Sequence, residues 1–212
     1  MVKTVLAESL ESESKEVREI AGACLNLNEE EPSEEVIKKL IKMMNDKSPK
    51  LTHFVPFILS KANDKSIVEP LIMRLENPNI NVSCAYALVA SAKNNLLDDN
   101  IMSKLIDRYD KETNLEFKKA LISIYGYTSN AKAKKILLSA IEDKETMYNA
   151  VYSIRTPVWA GTKDDDFIKS LLNLLDKYPD ATYIYGALEN LTGQQIKRNL
   201  DAWKEWWKNE VK

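Results

Sequence analysis

His53 is the sole histidine, and it precedes Phe54-Val55-Pro56-Phe57 in a stretch of helical character. A metal site built on it would need thiolates or carboxylates at ligand spacing. None stands nearby, so a structural histidine is expected. Cys24 and Cys84 are the two cysteines. Each sits in apolar, helix-like surroundings, which predicts buried thiols in a reducing compartment rather than a disulfide. No CxxC, HExxH, GxSxG, phosphate-loop or GxGxxG pattern occurs. The acidic runs Glu29-Glu30-Glu31 and Asp164-Asp165-Asp166 precede or open expected helices. Negative charge is favourable there because of the helix dipole, so solvated helix starts are expected before metal ligands. The expectation is no catalytic residue, no metal and no cofactor.

What remains is aromatic. Tyr125, Tyr127, Tyr148, Tyr152, Tyr183 and Tyr185 accumulate in the later part of the chain. Tyr148 and Tyr152 lie four apart and Arg155 three further on, which is one stripe of a helix. Trp159 sits in the loop 156–163 with Pro157 and Gly161. It reads first as a plug folded back on the protein, and otherwise as a binding anchor. Tyr, Trp and Arg dominate interface energies when desolvated. The candidate partner-binding residues are therefore Tyr148, Tyr152, Arg155, Trp159 and Tyr183. The competing reading makes the tyrosines edges of an amphipathic core.

The elements that would position these residues follow from a repeat. Val36, Ile37, Leu40, Ile41 and Met44 mark one face of a helix. The same slots recur at Ile67, Val68, Leu71, Ile72, Leu75, then at Ile101, Met102, Leu105, Ile106, Tyr109. Further copies are Ala133, Lys134, Leu137, Leu138, Ile141 and Phe167, Ile168, Leu171, Leu172, Leu175, with a weaker first copy at Val2, Lys3, Leu6, Ala7, Leu10. The central leucines, Leu6, Leu40, Leu71, Leu105, Leu137 and Leu171, are 34, 31, 34, 32 and 34 residues apart. Seven residues before each of the last five stands Ser33, Asp64, Asp98, Asn130 or Asp164, all good helix N-caps. A second helix series fits 14–27, 48–62, 79–93, 113–127, 144–155 and 180–191. The unit is a helix pair of about 33 residues. One pair cannot bury its apolar stripes alone, so neighbours must stack.

At this point the chain resembles HEAT repeats. Val68-Glu69-Pro70-Leu71-Ile72-Met73-Arg74-Leu75-Glu76-Asn77-Pro78 is similar to the family's first helix and turn, and Cys84-Ala85-Tyr86-Ala87-Leu88 to its second helix. Val17-Arg18, Ala21 and Cys24-Leu25 follow the second-helix pattern again. Asp46, Asp110 and Asp143 fit the family's turn aspartate, Asn77 replaces it in the third unit, and only Arg18 clearly fits the paired arginine. Leu191-Thr192-Gly193-Gln194 and the later Trp203, Trp206 and Trp207 are similar to the ending of many bacterial HEAT-type proteins. The tryptophans would cap the last repeat, or alternatively form an aromatic ligand patch. The resemblance implies an all-α fold: a right-handed α-solenoid of about six pairs (1–30, 31–62, 63–96, 97–128, 129–162, 163–193) and a capping helix in 194–212, together one domain. It also implies that the second helices line the concave face.

Composition agrees with helices and limits the partners. Of 212 residues only 5 are Gly and 7 Pro, few for a turn-rich β or doubly wound fold. The net charge of −2 supplies no field for a phosphate backbone, and no apolar window is long enough to span a membrane. The expected function is a non-catalytic scaffold holding a protein or peptide on the concave face, in a cytoplasmic and preferably monomeric protein, with no nucleic acid and no membrane. The alternatives are a HEAT-like DNA glycosylase of the alkylpurine type, or a small-molecule role like that of phycobilin lyases.

Overall fold

The computed structural model describes residues 2–210, with side chains from residue 5 onward. Among them are thirteen α-helices and no strand, so the chain is all-α. The side chains of Val2 and Lys3, two slots of the first repeat copy, lie outside the described residues. The chain divides into two compact units, 1–102 and 103–212.

The first unit holds α1 (Val2–Ser9), α2 (Lys15–Leu27), α3 (Glu34–Met43), α4 (Pro49–Leu59), α5 (Val68–Met73) and α6 (Asn81–Lys93). The boundary falls within α7 (Asp99–Tyr109), and the second unit continues with α8 (Leu115–Tyr125), α9 (Ala131–Glu142), α10 (Met147–Ser153), α11 (Asp165–Lys177), α12 (Thr182–Thr192) and α13 (Leu200–Glu210).

The expected caps are in place. Ser33 accepts from the Val36 amide, Asn130 from Lys132 and Ala133, and Asp164 from Phe167. Asp98 accepts from Ile101 at 3.0 Å. Asp64 accepts from Ser66, but it opens a 3-10 turn, Lys65–Ile67, before α5. Pro70 has no N–H to return to the Ser66 carbonyl, so the first α-helical turn is not available there. At the other end of a helix, Gly193 closes α12 in the left-handed region (φ 71°), its N–H reaching the Glu189 carbonyl.

Packing within each unit alternates. In the first, α2 lies on α4 and α4 on α6, while α3 packs on α4 and α5 on α6. In the second, α8 lies on α10 and α10 on α12, while α9 lies on α11 and α11 on α13. The repeated leucines fill the space between layers: Leu40, Leu71, Leu105, Leu137 and Leu171 are all buried. Trp203 is buried too, with Trp206 edge-on at 5.7 Å.

Polar bonds fix the turns. Arg18 holds Asp46 with two bonds, Nε to Oδ2 at 2.8 Å and Nη2 to Oδ1 at 3.3 Å, and donates from Nη1 to the carbonyls of Ser12 and Glu13. Asp46 also accepts from the Ser48 amide at 2.7 Å.

One expectation is corrected. Cys84 is a buried free thiol, but Cys24 is exposed. Cys24 follows Val17 and Ile20 and precedes Leu27 on a face of α2 opposite the buried Ala21 and Leu25, and no neighbouring helix covers that face. His53 lies on the surface of α4.

Candidate binding site

The second unit brings four of the five candidate residues together. Helix α10 is short. The Thr146 hydroxyl donates to the Ala140 carbonyl at 3.1 Å, holding residues 143–146 as a turn, so the helix starts only at Met147. Its inward side is Ala150, Val151 and, at its end, Ile154, all buried. Helical spacing then forces Tyr148 and Tyr152 outward, where they are 53% and 45% exposed. On α12, Ile184, Ala187, Leu188 and Leu191 face the core, which leaves Tyr183 and Gly186 half-buried beside α10.

The three tyrosines form a compact triangle. Tyr148 lies 4.5 Å from Tyr152 and 5.3 Å from Tyr183, and Tyr152 lies 6.5 Å from Tyr183 with rings 18° from parallel. The neighbouring Tyr152 hydroxyl raises the pKa of the Tyr148 phenol, and desolvation adds to the shift. Burial, chiefly, raises that of Tyr183.

Arg155 completes the cluster. Its Cζ stands 5.0 Å from the Tyr152 ring centre, a cation–π distance. Gly186 lies against it as well, where an added Cβ would come within 3.3 Å of Cζ and of Nη2. Asn190, one turn after Gly186, ties the assembly together: its Nδ2 donates to the Ile154 carbonyl at 3.2 Å, and its own carbonyl accepts from the Gly161 amide at 2.8 Å. Gly186 and Asn190 were missed in the sequence. A glycine inside an otherwise apolar helix was the available signal, since it often marks a close approach.

Trp159 is not part of this surface. It is 5% exposed and packs edge-on against Phe167 at 4.9 Å. The loop 156–163 is pinned to α12 by the Gly161 and Lys163 amides, the latter donating to Leu191 at 2.9 Å, and this turns the indole inward as a plug. Two further tyrosines are also core. Tyr125 donates to the Leu105 carbonyl at 2.8 Å, and Tyr185 to the Pro179 carbonyl at 2.8 Å.

The acidic runs serve structure. Asp164 and Asp166 both pair with Lys134, at 2.8 and 2.7 Å, and Glu31 accepts from the Asn63 amide. No group of three His, Cys, Asp or Glu placed to hold a metal occurs among the described residues. No helix of the described residues is long and apolar enough to cross a membrane.

The first unit carries an exposed apolar surface that the periodicity did not single out. Val17, Ile20 and Leu27 are exposed on α2, Leu27 by 82%. On α4, His53 packs edge-on against Phe57 at 5.3 Å, its Nδ1 3.3 Å from the Ser83 hydroxyl. A shallow hollow of about 450 Å³ runs beside Phe54, Phe57 and Lys61. Comparison with protein families and with curated proteins gave no match.

Proposed function

We propose that this chain is a binding protein built from HEAT-like helix pairs, each unit a short right-handed stack. A peptide or protein partner is held on the outer side of α10 and α12 in the second unit. The leucine period, the caps at matching positions and the alternating packing inside each unit support the repeat reading. One observation carries the binding reading. Tyr148, Tyr152 and Tyr183 form a ring cluster, with Tyr148 and Tyr152 largely exposed, beside an exposed arginine. Tyrosine gives rigid apolar area with a hydrogen-bonding tip, and exposed aromatic clusters mark interaction sites more than packing. The role is that of a scaffold, and its selectivity comes from the rings and the cation.

The test compares retention of cellular proteins by the immobilised wild-type chain and by a Tyr148→Ser/Tyr152→Ser variant. A partner held by the wild type should be lost by the variant, with both proteins melting at the same temperature. Equal retention by the two would refute this location of the site.

A further inference from the structure

We infer that Arg155 makes this surface a receptor for a carboxylate, so that its peptide partner presents an acidic side chain among apolar, extended residues. The inference rests on the binding reading above and specifies its chemistry.

Three other arginines of this chain have polar partners: Arg18 takes Asp46, Arg74 reaches the Asn45 side chain, and Arg108 lies 3.7 Å from Glu112. Arg155 has no acceptor or carboxylate partner among the described residues. It is nonetheless positioned, because it meets both the Tyr152 ring and the bare backbone of Gly186. A guanidinium has five N–H donors in its plane and none on its faces. Contacts to a ring and to a glycine backbone leave in-plane donors for an incoming group, and a planar carboxylate matches two of them at once. Holding the side chain beforehand also lowers the entropy lost when the ligand arrives.

Charge selects carboxylate over phosphate. Among the described residues, Arg155 is the one cation set against these rings. One unit of negative charge is matched there, and the near-double charge of a phosphate is not. The tyrosine rings add apolar faces for the residues flanking the acid. Proline rings in an extended chain suit such a surface and lose little entropy on binding.

The probe is a fluorescein-labelled, C-terminally amidated peptide, Gly-Pro-Pro-Glu-Pro-Pro-Gly, titrated with the full chain. Two matched peptides carry Gln or phosphoserine in place of Glu. The Glu peptide should bind about tenfold or more tightly than the Gln peptide, the scale of a charge-assisted bidentate contact. That discrimination should vanish in Arg155→Met and shrink in Gly186→Ala, whose methyl displaces the guanidinium. Equal binding of Glu and Gln peptides overturns the carboxylate receptor. If that binding is still lost in Tyr148→Ser/Tyr152→Ser, the aromatic site itself stands. Tighter binding of the phosphoserine peptide also overturns the inference. Failure of all three peptides to bind refutes the acidic, proline-flanked ligand, and the retention experiment then decides the site independently.

Discussion

Exposure separates residues of one type into different roles. Trp159 and Tyr152 are both aromatic and seven positions apart, yet the first is packed on Phe167 and the second faces solvent. Trp159→Ala should cost about 3–5 kcal/mol, the usual price of emptying a tryptophan site, while Tyr152→Ala should change stability by less than about 1 kcal/mol. Urea unfolding of the two variants measures both, and a reversed order would mean that the loop 156–163 does not hold the indole inside. The cysteines divide in the same way. Burial pushes the Cys84 thiol up to about 12, which leaves almost no thiolate at pH 8, and the side chain is enclosed, whereas Cys24 is open to solvent. Iodoacetamide at pH 8 should therefore add one group to the native protein and two to the unfolded protein, as read by intact mass. Rapid double addition to the native protein would contradict the burial of Cys84.

Close helix contacts and turn bonds set the behaviour of the elements. At the end of α8, a Cβ on Gly126 would run into the Ser153 carbonyl oxygen, with the Ser153 Cα at 3.0 Å, and the Thr156 hydroxyl donates to the Gly126 carbonyl. Backbone cannot swing aside as a side-chain tip can, so Gly126→Ala should destabilise the second unit by about 1–3 kcal/mol. An unchanged melting transition would show that α8 and α10 separate freely. The Arg18–Asp46 pair in the first unit makes a pH-dependent contribution. Burial raises the pKa of Asp46, but the Arg18 guanidinium and the Ser48 N–H outweigh it and bring the pKa below its ordinary 3.8. Between the lowered folded value and the ordinary one, the unfolded chain binds a proton that the folded chain refuses. The stabilisation is thus complete above the ordinary carboxylate range and is lost as pH falls through the folded pKa. Asp46→Asn should be less stable than wild type at pH 7, and the gap should narrow below about pH 4. A gap that stays constant down to pH 2 would rule out this linkage.

For the whole molecule, 30 basic against 32 acidic residues give a net charge of −2. Nucleic-acid affinity grows with the number of phosphates neutralised, so no duplex-DNA binding should be measurable at physiological salt. Tight, salt-sensitive binding in a fluorescence titration would revive the glycosylase alternative.

The helix positions were legible because they depend on local physics. An N-cap satisfies amides within its own first turn, and a 3.6-residue period places Leu40, Leu71, Leu105, Leu137 and Leu171 on one stripe whatever lies beyond it. The buried thiol of Cys84 follows from the same kind of stripe. Which stripe is covered is a different matter, since a helix shows its apolar residues without stating which neighbour packs over them. Tyr125 and Tyr185 are covered, and Tyr148 and Tyr152 are open, although all four lie on helices of the second unit. Cys24 and Leu27 are exposed because no helix among the described residues covers that side of α2. Trp159 is inside because two amides of its loop meet carbonyls of α12 some thirty residues later in the chain. Gly186 beside Arg155 is likewise a meeting of two helices, and only the tertiary structure placed a bare backbone against that guanidinium.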